Sequence, residues 1–330
     1  MSKIREKAKN SIKKHNLINR NDKIVIGVSG GADSVYLLYL LKSLQKELNL
    51  TLYIAHLDHL LRKESGREAQ FVKELGQKLK IPVMLGKINI KGLSRNTSLE
   101  EAARNARLAF LLKVAIRVKA KRIALAHNFD DQAETVLMRI LRGTGLSGLS
   151  GISPIRKMGK IDIIRPLLGI QRKDIENFLK VRKISFCIDK SNTDEIYFRN
   201  KIRHKLLPIL EKEYNKNIRE VLFNLAQNAG SDYDYLRASA ARFLKNNKRK
   251  LNLSRLIKLH PAIMRLKLRG AISCLQGDTR RITFKHIQEL EDLIFNRPQG
   301  SIVDLPKGIQ VKKAQKSLDF YHSKKIAFRP

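Results

Sequence analysis

The chain has 330 residues and carries 67 lysine and arginine residues against 30 aspartate and glutamate residues, a formal net charge of +37. With 43% hydrophobic residues it can form packed cores, which excludes a disordered chain, and its length suits two domains better than one. It has no apolar run long enough to cross a bilayer, and its two cysteines, Cys187 and Cys274, form no CxxC pair. We therefore predict no membrane association and a reducing compartment, the cytoplasm or alternatively a plastid stroma.

The positive charge is spread along the chain rather than confined to a tail. Residues 201–330 carry 28 basic and 11 acidic side chains, a net charge of +17, which leaves +20 for residues 1–200. Such an excess destabilises a compact chain by self-repulsion, so both halves are expected to face a polyanion. Nucleic acid is favoured over a membrane surface, because no acylation signal accompanies the charge.

Strand and helix patterns alternate through the first part of the chain. Apolar segments typical of buried strands occur at residues 23–28, 50–57, 81–85, 122–127 and 161–166. Amphipathic helical stretches separate them, which is the pattern of right-handed βαβ crossovers. The sequence therefore predicts an α/β fold with a doubly wound, Rossmann-like parallel sheet that is covered by helices on both faces.

The alternation stops after Pro208. Residues 211–275 read as helical throughout, and residues 300–313 carry the proline and glycine turn signals of a small strand-containing end. We predict an N-terminal α/β domain over residues 1–215 and a basic, mainly helical domain with a small α+β end over residues 216–330.

A glycine-rich turn follows the first predicted strand. It comprises Ser29, Gly30, Gly31, Ala32, Asp33 and Ser34. Adjacent glycines let the backbone approach a ligand closely, and the free N–H groups and the dipole of the following helix favour an anion there. The turn predicts a phosphate site, although it matches neither the Walker A pattern nor GxGxxG. The structural alternative is a tight strand-to-helix turn with Ser34 as the N-cap residue.

A second group of polar residues ends the fourth predicted strand, in the segment AHNFDDQAET at 126–135. One interpretation is helix capping, with Asp130 or Asp131 as the N-cap residue and Glu134 in the first turn. The other is a ligand site, because Asp131 and Glu134 share a helix face at the sheet edge where doubly wound folds bind ligands. Carboxylates in so basic a chain suit a metal ion or a small cationic substrate, so we favour the ligand site. The glycine-rich loop at 143–151 can then fold over a substrate.

The turn SGGADS resembles the pyrophosphate loop of the N-type ATP pyrophosphatase superfamily, whose members cleave ATP between the α and β phosphates. The resemblance narrows because further motifs follow in order over residues 23–215: AHLDHLLR, SLEEAARNARLAFL, LAHNFDDQAETVLMRILRGTGLSGLSGI, RPLL and DKSNTDEIYFRNKIRHKLLP. Together they look like the tRNA(Ile)-lysidine synthetase family. Residues 216–330 match less distinctly and look like the single C-terminal module of that family's shorter members.

The resemblance implies an ATP-dependent carbon–nitrogen ligase that modifies tRNA. Members of the family attach L-lysine to C2 of the wobble cytidine of tRNA(Ile) with a CAU anticodon, which forms lysidine and changes codon specificity from AUG to AUA. The cytidine O2 first attacks the α phosphate of ATP and releases pyrophosphate, and the lysine amine then displaces AMP. The implied cofactors are ATP as co-substrate and Mg²⁺, and the implied partners are this tRNA, L-lysine and a second copy of the chain in a homodimer.

The resemblance also assigns roles to residues. It places ATP on the loop 29–34, the catalytic Asp33 near Mg²⁺, and the catalytic Arg107 against the phosphates. It assigns Asp131 and Glu134 to catalysis and to lysine binding. The residues assigned to tRNA binding combine planar hydrogen-bonding groups with cations. They are Asp189, Asn192, Arg199, Asn200, Arg203 and His204.

Two histidines and the cysteines leave alternatives open. His56 and His59 stand three residues apart without a third ligand nearby, so structural hydrogen bonding is favoured over zinc binding. Asp58 and Leu60 depart from the family's usual pattern, and the resemblance implies for this segment only a place beside the adenosine. Cys187 between two apolar residues indicates a buried structural thiol. The alternative functions are a tRNA thiolase of the same superfamily, which would need reactive cysteines, and a non-catalytic RNA-binding protein.

Overall fold

The computed structural model describes residues 3–60, 65–90, 99–187, 198–242, 249–279 and 281–323. These residues form two compact units, Met1–Gly230 and Ser231–Pro330. The strands of the first unit are β1 (Lys23–Gly27), β2 (Thr51–Asp58), β3 (Val83–Lys87), β4 (Arg122–Ala124), β5 (Ile155–Met158) and β6 (Ile161–Ile164). Its first seven helices are α1 (Lys3–Lys14), α2 (Ala32–Leu48), α3 (Ser65–Leu79), α4 (Leu99–Arg117), α5 (Phe129–Leu141), α6 (Leu146–Leu149) and α7 (Arg172–Val181).

The six strands form one sheet in the order β3-β2-β1-β4-β6-β5. All neighbouring pairs are parallel except β5 and β6, which are antiparallel. The order reverses between β1 and β4, so the chain leaves the carboxyl ends of these neighbours in opposite directions and a crevice opens between them. The α/β fold with a largely parallel sheet is confirmed, and its switch point lies where the glycine-rich turn follows β1.

The sheet is covered by apolar side chains on both faces. One core contains Ile26 of β1 and Leu37 and Leu41 of α2, all fully buried. Another contains Val25 of β1 and Ala115 of α4. Consecutive strand residues point to opposite faces, and both faces of β1 are covered, so the strand is apolar from Ile24 to Ile26. This continuous apolar run makes β1 the easiest strand to recognise in the sequence.

The antiparallel strand β5 departs from the sequence prediction, which contained no strand at this position. β5 and β6 are joined by the tight turn Gly159–Lys160, and Gly159 has a φ of 63°, a conformation that favours glycine. β5 has exposed Arg156 and Lys157 at its centre and therefore lacks the apolar run of a buried strand. As an edge strand it can carry these charges.

A helical segment follows from residue 198 to residue 242. It contains α8 (Phe198–Lys201), α9 (Leu207–Ile209) and α10 (Ile218–Arg242), with π-helical turns at Ile202–Leu206 and Leu210–Tyr214. Leu222 and Ala226 of α10 pack with Ala133 and Val136 of α5, so the first unit continues into α10. The division of the functional domains after residue 215 stays a prediction.

The second unit has its own core and its own sheet. It contains β7 (Lys250–Asn252), α11 (Leu253–Ile257), α12 (Pro261–Gln276), α13 (Phe284–Phe295), β8 (Ile302–Leu305), β9 (Ile309–Lys313) and β10 (Ser317–His322). The strand order is β7-β10-β9-β8, and all pairs are antiparallel. The prediction of helix throughout 211–275 was wrong at β7, which is too short to show a strand pattern. Among the described helices none is long and apolar enough to span a membrane.

Two glycines of α3 test the packing between this helix and the sheet. A methyl group at Gly76 would clash with Cγ2 of Val83 and lie 3.1 Å from the carbonyl oxygen of Ile81, whereas one at Gly66 would meet nothing. We expect Gly76→Ala to lower the free energy of unfolding by roughly 1 to 2 kcal/mol, since overpacking outweighs the gain in helix propensity. Gly66→Ala, the matched control, should be neutral or stabilising. Urea denaturation followed by circular dichroism measures both, and equal effects would contradict this packing.

Candidate active site

The glycine-rich turn between β1 and α2 is held by its own serines. Gly30 has a φ of 96°, and Gly31 is the N-cap residue of α2, where the alternative interpretation expected Ser34. The Oγ of Ser34, a buried residue, instead donates to the carbonyl oxygen of Gly31 at 2.9 Å and accepts from the N–H of Ser29 at 3.2 Å. The hydroxyl therefore fixes the curvature of the turn, and the first N–H groups of α2 stay available to an anion.

Asn128 joins this turn to the end of β4. Its Nδ2 donates to Oδ1 of Asp33 at 3.0 Å, and its Oδ1 accepts from the N–H of Asp131 at 2.9 Å. The carboxylate of Asp131 in turn accepts from the N–H of Asn128 at 3.0 Å, so the two residues form a capping box. Asn128, not Asp130 or Asp131, is thus the N-cap residue of α5. This N-cap residue was not predicted, although an asparagine before a predicted helix is itself a capping signal.

Asp33 and Asp131 therefore lie on the two sides of the crevice between β1 and β4. Burial, reinforced by the charge of Asp131, raises the pKa of Asp33 to about 6, and the hydrogen bond from Asn128 opposes the rise only in part. A carboxylate held under these conditions gains stability from any cation that approaches it. This electrostatic setting is what the predicted Mg²⁺ near Asp33 would require.

Oxygen donors at this place suit a hard cation. Within the described residues, however, no group of three or more histidine, cysteine, aspartate or glutamate side chains is arranged to hold a metal ion. Mg²⁺ is usually held by one or two carboxylates together with substrate phosphates rather than by a complete protein cage. The residues present fit such a shared site, with Asp33 as the protein ligand.

Glu134 is fully buried and is neutralised by two guanidinium groups. Arg199 Nε donates to Glu134 Oε2 at 2.8 Å, and Arg203 contacts both carboxylate oxygens of Glu134. The same arginines approach Asp131 Oδ1 at 3.0 and 3.3 Å. Burial alone would lower the pKa of both arginines, but the two carboxylates outweigh it and raise each pKa. Two predicted tRNA ligands and two predicted lysine ligands thus form one network.

A cavity of about 260 Å³ lies beside this network. It is lined by Asp130, Glu134, Arg172, Arg203, His204 and Arg219. Asp130 accepts from the N–H of Arg172 at 2.8 Å and from Arg219 Nη1 at 3.1 Å, and Glu211 accepts two further hydrogen bonds from Arg219. The cavity therefore presents fixed charges of both signs. Arg172, Glu211 and Arg219 were missed, since no local pattern connects residues so far apart in the sequence.

Arg107 lies elsewhere on the carboxyl edge and contacts His59. Its Nη2 is 3.4 Å from His59 Nε2, and burial together with Arg104 lowers the pKa of Arg107. Burial and Arg107 lower the pKa of His59 to about 4, so the imidazole is neutral and accepts the hydrogen bond. The buried His56 donates from Nδ1 to the carbonyl oxygen of Val28 at 2.8 Å. Both histidines thus form hydrogen bonds of the structural kind that the sequence favoured.

The remaining predicted residues divide into three groups. Asp189 and Asn192 lie outside the described residues, as does Ser98 of the predicted capping box. Asn200 lies on α8, and His204 on the π-helical turn that follows it. The N–H of Cys187 donates to the carbonyl oxygen of Gly30 at 2.9 Å, and burial raises the pKa of its thiol. Cys187 is therefore a structural support of the glycine-rich turn, while Cys274 is an exposed free thiol.

The fold and the glycine-rich turn are those of a PP-loop protein, and residues 1–210 match the family model of the PP-loop domain. Residues 251–318 match the model of the TilS substrate binding domain. The chain is 39% identical to the tRNA(Ile)-lysidine synthase of Clostridioides difficile strain 630, over 96% of this chain and 70% of that protein. It is 36% identical to the enzyme of that name from Caldanaerobacter subterraneus subsp. tengcongensis, over 95% of this chain and 68% of that protein. The chain belongs to the tRNA(Ile)-lysidine synthase family.

A solved structure supports the fold alone. The U34-tRNA thiolase NcsA from Methanococcus maripaludis, determined with its 4Fe-4S cluster, superposes with a TM-score of 0.56 at 19% sequence identity. The match covers 69% of this chain and 78% of that chain. At this identity the likeness carries the PP-loop architecture and no inference about sulfur chemistry.

The raised pKa of Asp33 makes a prediction about stability. With a pKa of about 6 in the folded chain and 3.8 as the ordinary value, the folded protein binds more protons than the unfolded chain between these values. Its stability therefore falls as the pH rises through this window. Asp33→Asn should raise the free energy of unfolding above pH 6, by up to about 3 kcal/mol, and the gain should vanish below about pH 4.

Urea denaturation of the wild type and Asp33→Asn at pH 4, 5, 6 and 7.5 measures this difference. Asp232→Asn, at an exposed position of α10, is the control and should show no such trend. A gain that is independent of pH, or a loss of stability at pH 7.5, would contradict the assignment of a strained carboxylate at this position.

Proposed function

We propose that this chain ligates L-lysine to C2 of the wobble cytidine of tRNA(Ile) with a CAU anticodon, with consumption of ATP. Its membership of the tRNA(Ile)-lysidine synthase family supports the proposal. The observation that carries it is the hydrogen bond from Asn128 to Asp33, which brings the glycine-rich turn and the acidic start of α5 into one crevice. A phosphate cradle and an acidic group side by side are what an adenylation followed by attack of an amine requires.

The first step needs the charge of ATP to be neutralised. We place the β and γ phosphates at the turn 29–34, where the free N–H groups and the dipole of α2 favour an anion. Mg²⁺ held by Asp33 would supply additional positive charge to the phosphates. We also assign Arg107, which contacts the neutral His59, to the nucleotide at the same edge. The hydrogen bond from Asn128 keeps Asp33 oriented.

The second step needs a pocket that recognises lysine. We propose that lysine occupies the 260 Å³ cavity beside Glu134, which is small for a ligand site and therefore suits an amino acid. Its mixed charges match a zwitterion with a second ammonium group, since the carboxylates attract the amines and the guanidinium groups attract the carboxylate. Asp131 does not line this cavity, so we propose that it acts by orienting Arg199 and Arg203.

The predicted tRNA ligands acquire a second role in this arrangement. Arg199 and Arg203 direct hydrogen bonds to Glu134 and Asp131, which shapes the lysine pocket from the helical segment after residue 198. Their contact with the anticodon loop stays a prediction, as do the contacts of Asn200 and His204. A π-helical turn at Ile202–Leu206 is consistent with a functional segment, because such turns occur frequently at functional sites. A homodimer and a cytoplasmic location also stay predictions.

The direct test is nucleoside analysis of the tRNA. Unmodified tRNA(Ile) with a CAU anticodon is incubated with the protein, ATP, Mg²⁺ and isotopically labelled lysine, and its nucleosides are separated and weighed by mass spectrometry. We expect labelled lysidine in place of the wobble cytidine, with one AMP released per lysine attached. Asp33→Ala, as the matched variant, should abolish both products. A thiolated base, or tRNA binding without any product, would favour the alternative functions.

The lysine pocket makes its own prediction. Glu134→Gln should raise the KM for lysine at least about ten-fold, because it removes a carboxylate charge from the cavity and leaves the positive charge of Arg203 to repel an ammonium group there, while the affinity for ATP changes less than about two-fold. Steady-state AMP release and calorimetric ATP titration measure the two quantities. Glu74→Gln, on α3, removes an exposed carboxylate that does not line the cavity and is the control. An equal loss of both affinities would place Glu134 in the ATP site instead.

The thiolase alternative is tested through the two cysteines. Cys187→Ser retains the N–H that donates to Gly30 and nearly the volume of the thiol, and Cys274 is exposed on α12. We expect the double variant Cys187→Ser, Cys274→Ser to form lysidine at a rate within about three-fold of the wild type, because neither sulfur takes part in the ligation. Loss of all activity by a double variant that remains folded would support sulfur transfer.

A further inference from the structure

The arginines around the crevice fall into two groups. Arg199, Arg203 and Arg219 pair with carboxylates, and these carboxylates raise their pKa values. Arg107, Arg139 and Arg165 show the opposite behaviour, because burial and neighbouring arginines lower theirs. Across the part of the chain that the structure describes, the second group has no carboxylate within ion-pair distance. Within the described residues, its charges therefore have no carboxylate counter-ion.

Arg165 is the most buried member of this second group. It directly follows β6 at the carboxyl edge of the sheet, and only 5% of its surface is exposed. Its Nη1 donates to the carbonyl oxygen of Ser153 at 2.6 Å, while its buried Nε has no hydrogen-bond partner. Burial, followed by the charges of Arg104 and Arg156, lowers its pKa to about 10.

Two exposed arginines, Arg104 and Arg156, form a separate cluster with Arg165. Arg104 is exposed on α4. Arg156 is exposed on the edge strand β5, where it pairs with Ile163 of β6, two residues before Arg165, and the N–H of Arg165 donates to the carbonyl oxygen of Pro154 at 2.9 Å.

We call Arg104, Arg156 and Arg165 the Arg165 cluster. Arg104 also lowers the pKa values of Arg107 and Arg139, so the positive field extends along the edge. Like charges that gather around a buried guanidinium group cost stability unless an anion joins them.

The strand order indicates which anion this is. β1, β4 and β6 are consecutive neighbours, so Arg165 follows a strand two positions from the one that leads into the glycine-rich turn, roughly 10 Å away along the edge. The turn already offers N–H groups to the phosphates of a nucleotide. An anion at Arg165 would lie on the side of the turn away from β2, and we infer that it is a phosphate other than those held at the turn.

We propose that the Arg165 cluster is a second phosphate site, separate from the glycine-rich turn, that binds a backbone phosphate of the RNA next to the base being modified. The inference rests on the proposed function for the identity of the RNA, but the cluster itself would recognise a phosphodiester in any anticodon loop. Guanidinium groups suit this ligand because they bind phosphate oxygens in pairs and stay charged at all working pH values. Such a contact positions the strand without reading its sequence.

The test measures RNA and ATP binding separately. Arg104→Gln, Arg156→Gln and their double variant change exposed side chains, so the fold is expected to persist, which circular dichroism checks. The probe is an anticodon stem-loop RNA with a CAU anticodon, followed by fluorescence anisotropy at several salt concentrations, and ATP binding is measured by calorimetry. Arg117→Gln is the matched control, because Arg117 is an exposed arginine in the last turn of the same helix as Arg104.

For the double variant we expect about ten-fold weaker RNA binding at 0.1 M salt, a log–log salt slope smaller by about 1 to 2, and unchanged ATP affinity. Arg117→Gln should leave both affinities within about two-fold of the wild type. Weaker ATP binding with unchanged RNA binding would assign the cluster to the nucleotide and overturn the proposal, as would no change in either. Both affinities are measured without turnover. A failure to form lysidine would therefore contradict the proposed function without changing the outcome of the binding test on the Arg165 cluster.

Discussion

One hydrogen bond, from the amide of Asn128 to the carboxylate of Asp33, sets the geometry on which the site depends. It connects residues that are 95 positions apart in the sequence and that follow two neighbouring strands of the sheet. The same amide accepts the N–H of Asp131, so one side chain aligns the start of α2 with the start of α5. A planar amide can do this because it donates and accepts at fixed angles, which neither a serine nor an aspartate cap could match.

Several charged groups in the crevice lie in environments that disfavour their charge. Asp33 stays partly charged against burial and against Asp131, while Arg165 and its neighbours repel one another a short distance along the same edge. The Glu134 network, by contrast, is internally neutral, since Arg199 and Arg203 match the carboxylates of Glu134 and Asp131. Sites of this kind lower the stability of the fold, because their charges are not fully compensated, but the same charges can bind a ligand of the opposite sign. The fold tolerates this loss because the large apolar cores on both sheet faces supply the stability.

The sequence was sufficient for the elements whose signals are local. The apolar run of β1, the glycines after it and the acidic start of α5 each predict their structure within a few residues, because burial and capping act over short distances. β5 was hidden because an edge strand needs no apolar run, and β7 because three residues are too few to show a period. The pairing of Glu134 with Arg199 and Arg203 was not predictable, since it depends on where a distant helical segment docks.

The same dependence on distance decided how the charged residues were interpreted. The resemblance assigns Arg199 and Arg203 to RNA binding, which stays a prediction, and the structure adds that both donate to the buried carboxylate of Glu134. The position of Asp33 after the first strand of a doubly wound sheet predicts that it lies at the carboxyl edge. The assignment of Arg107 comes from the resemblance alone, and the roles of both residues stay predictions. Local patterns thus located the crevice, while tertiary docking determined how its charges are paired.

The helix α10 has a consequence for the synthesis of the chain. Arg219, in its first turn, is the partner of Asp130, and the ribosome adds it 89 residues later. Phe223, one turn further along, stacks on Phe129 with ring centroids 4.8 Å apart. A nascent chain that has folded its sheet but not yet added α10 therefore lacks the side chains that pack against the start of α5. Arg219 lines the cavity beside Glu134. This cavity is therefore among the last parts of the first unit to form.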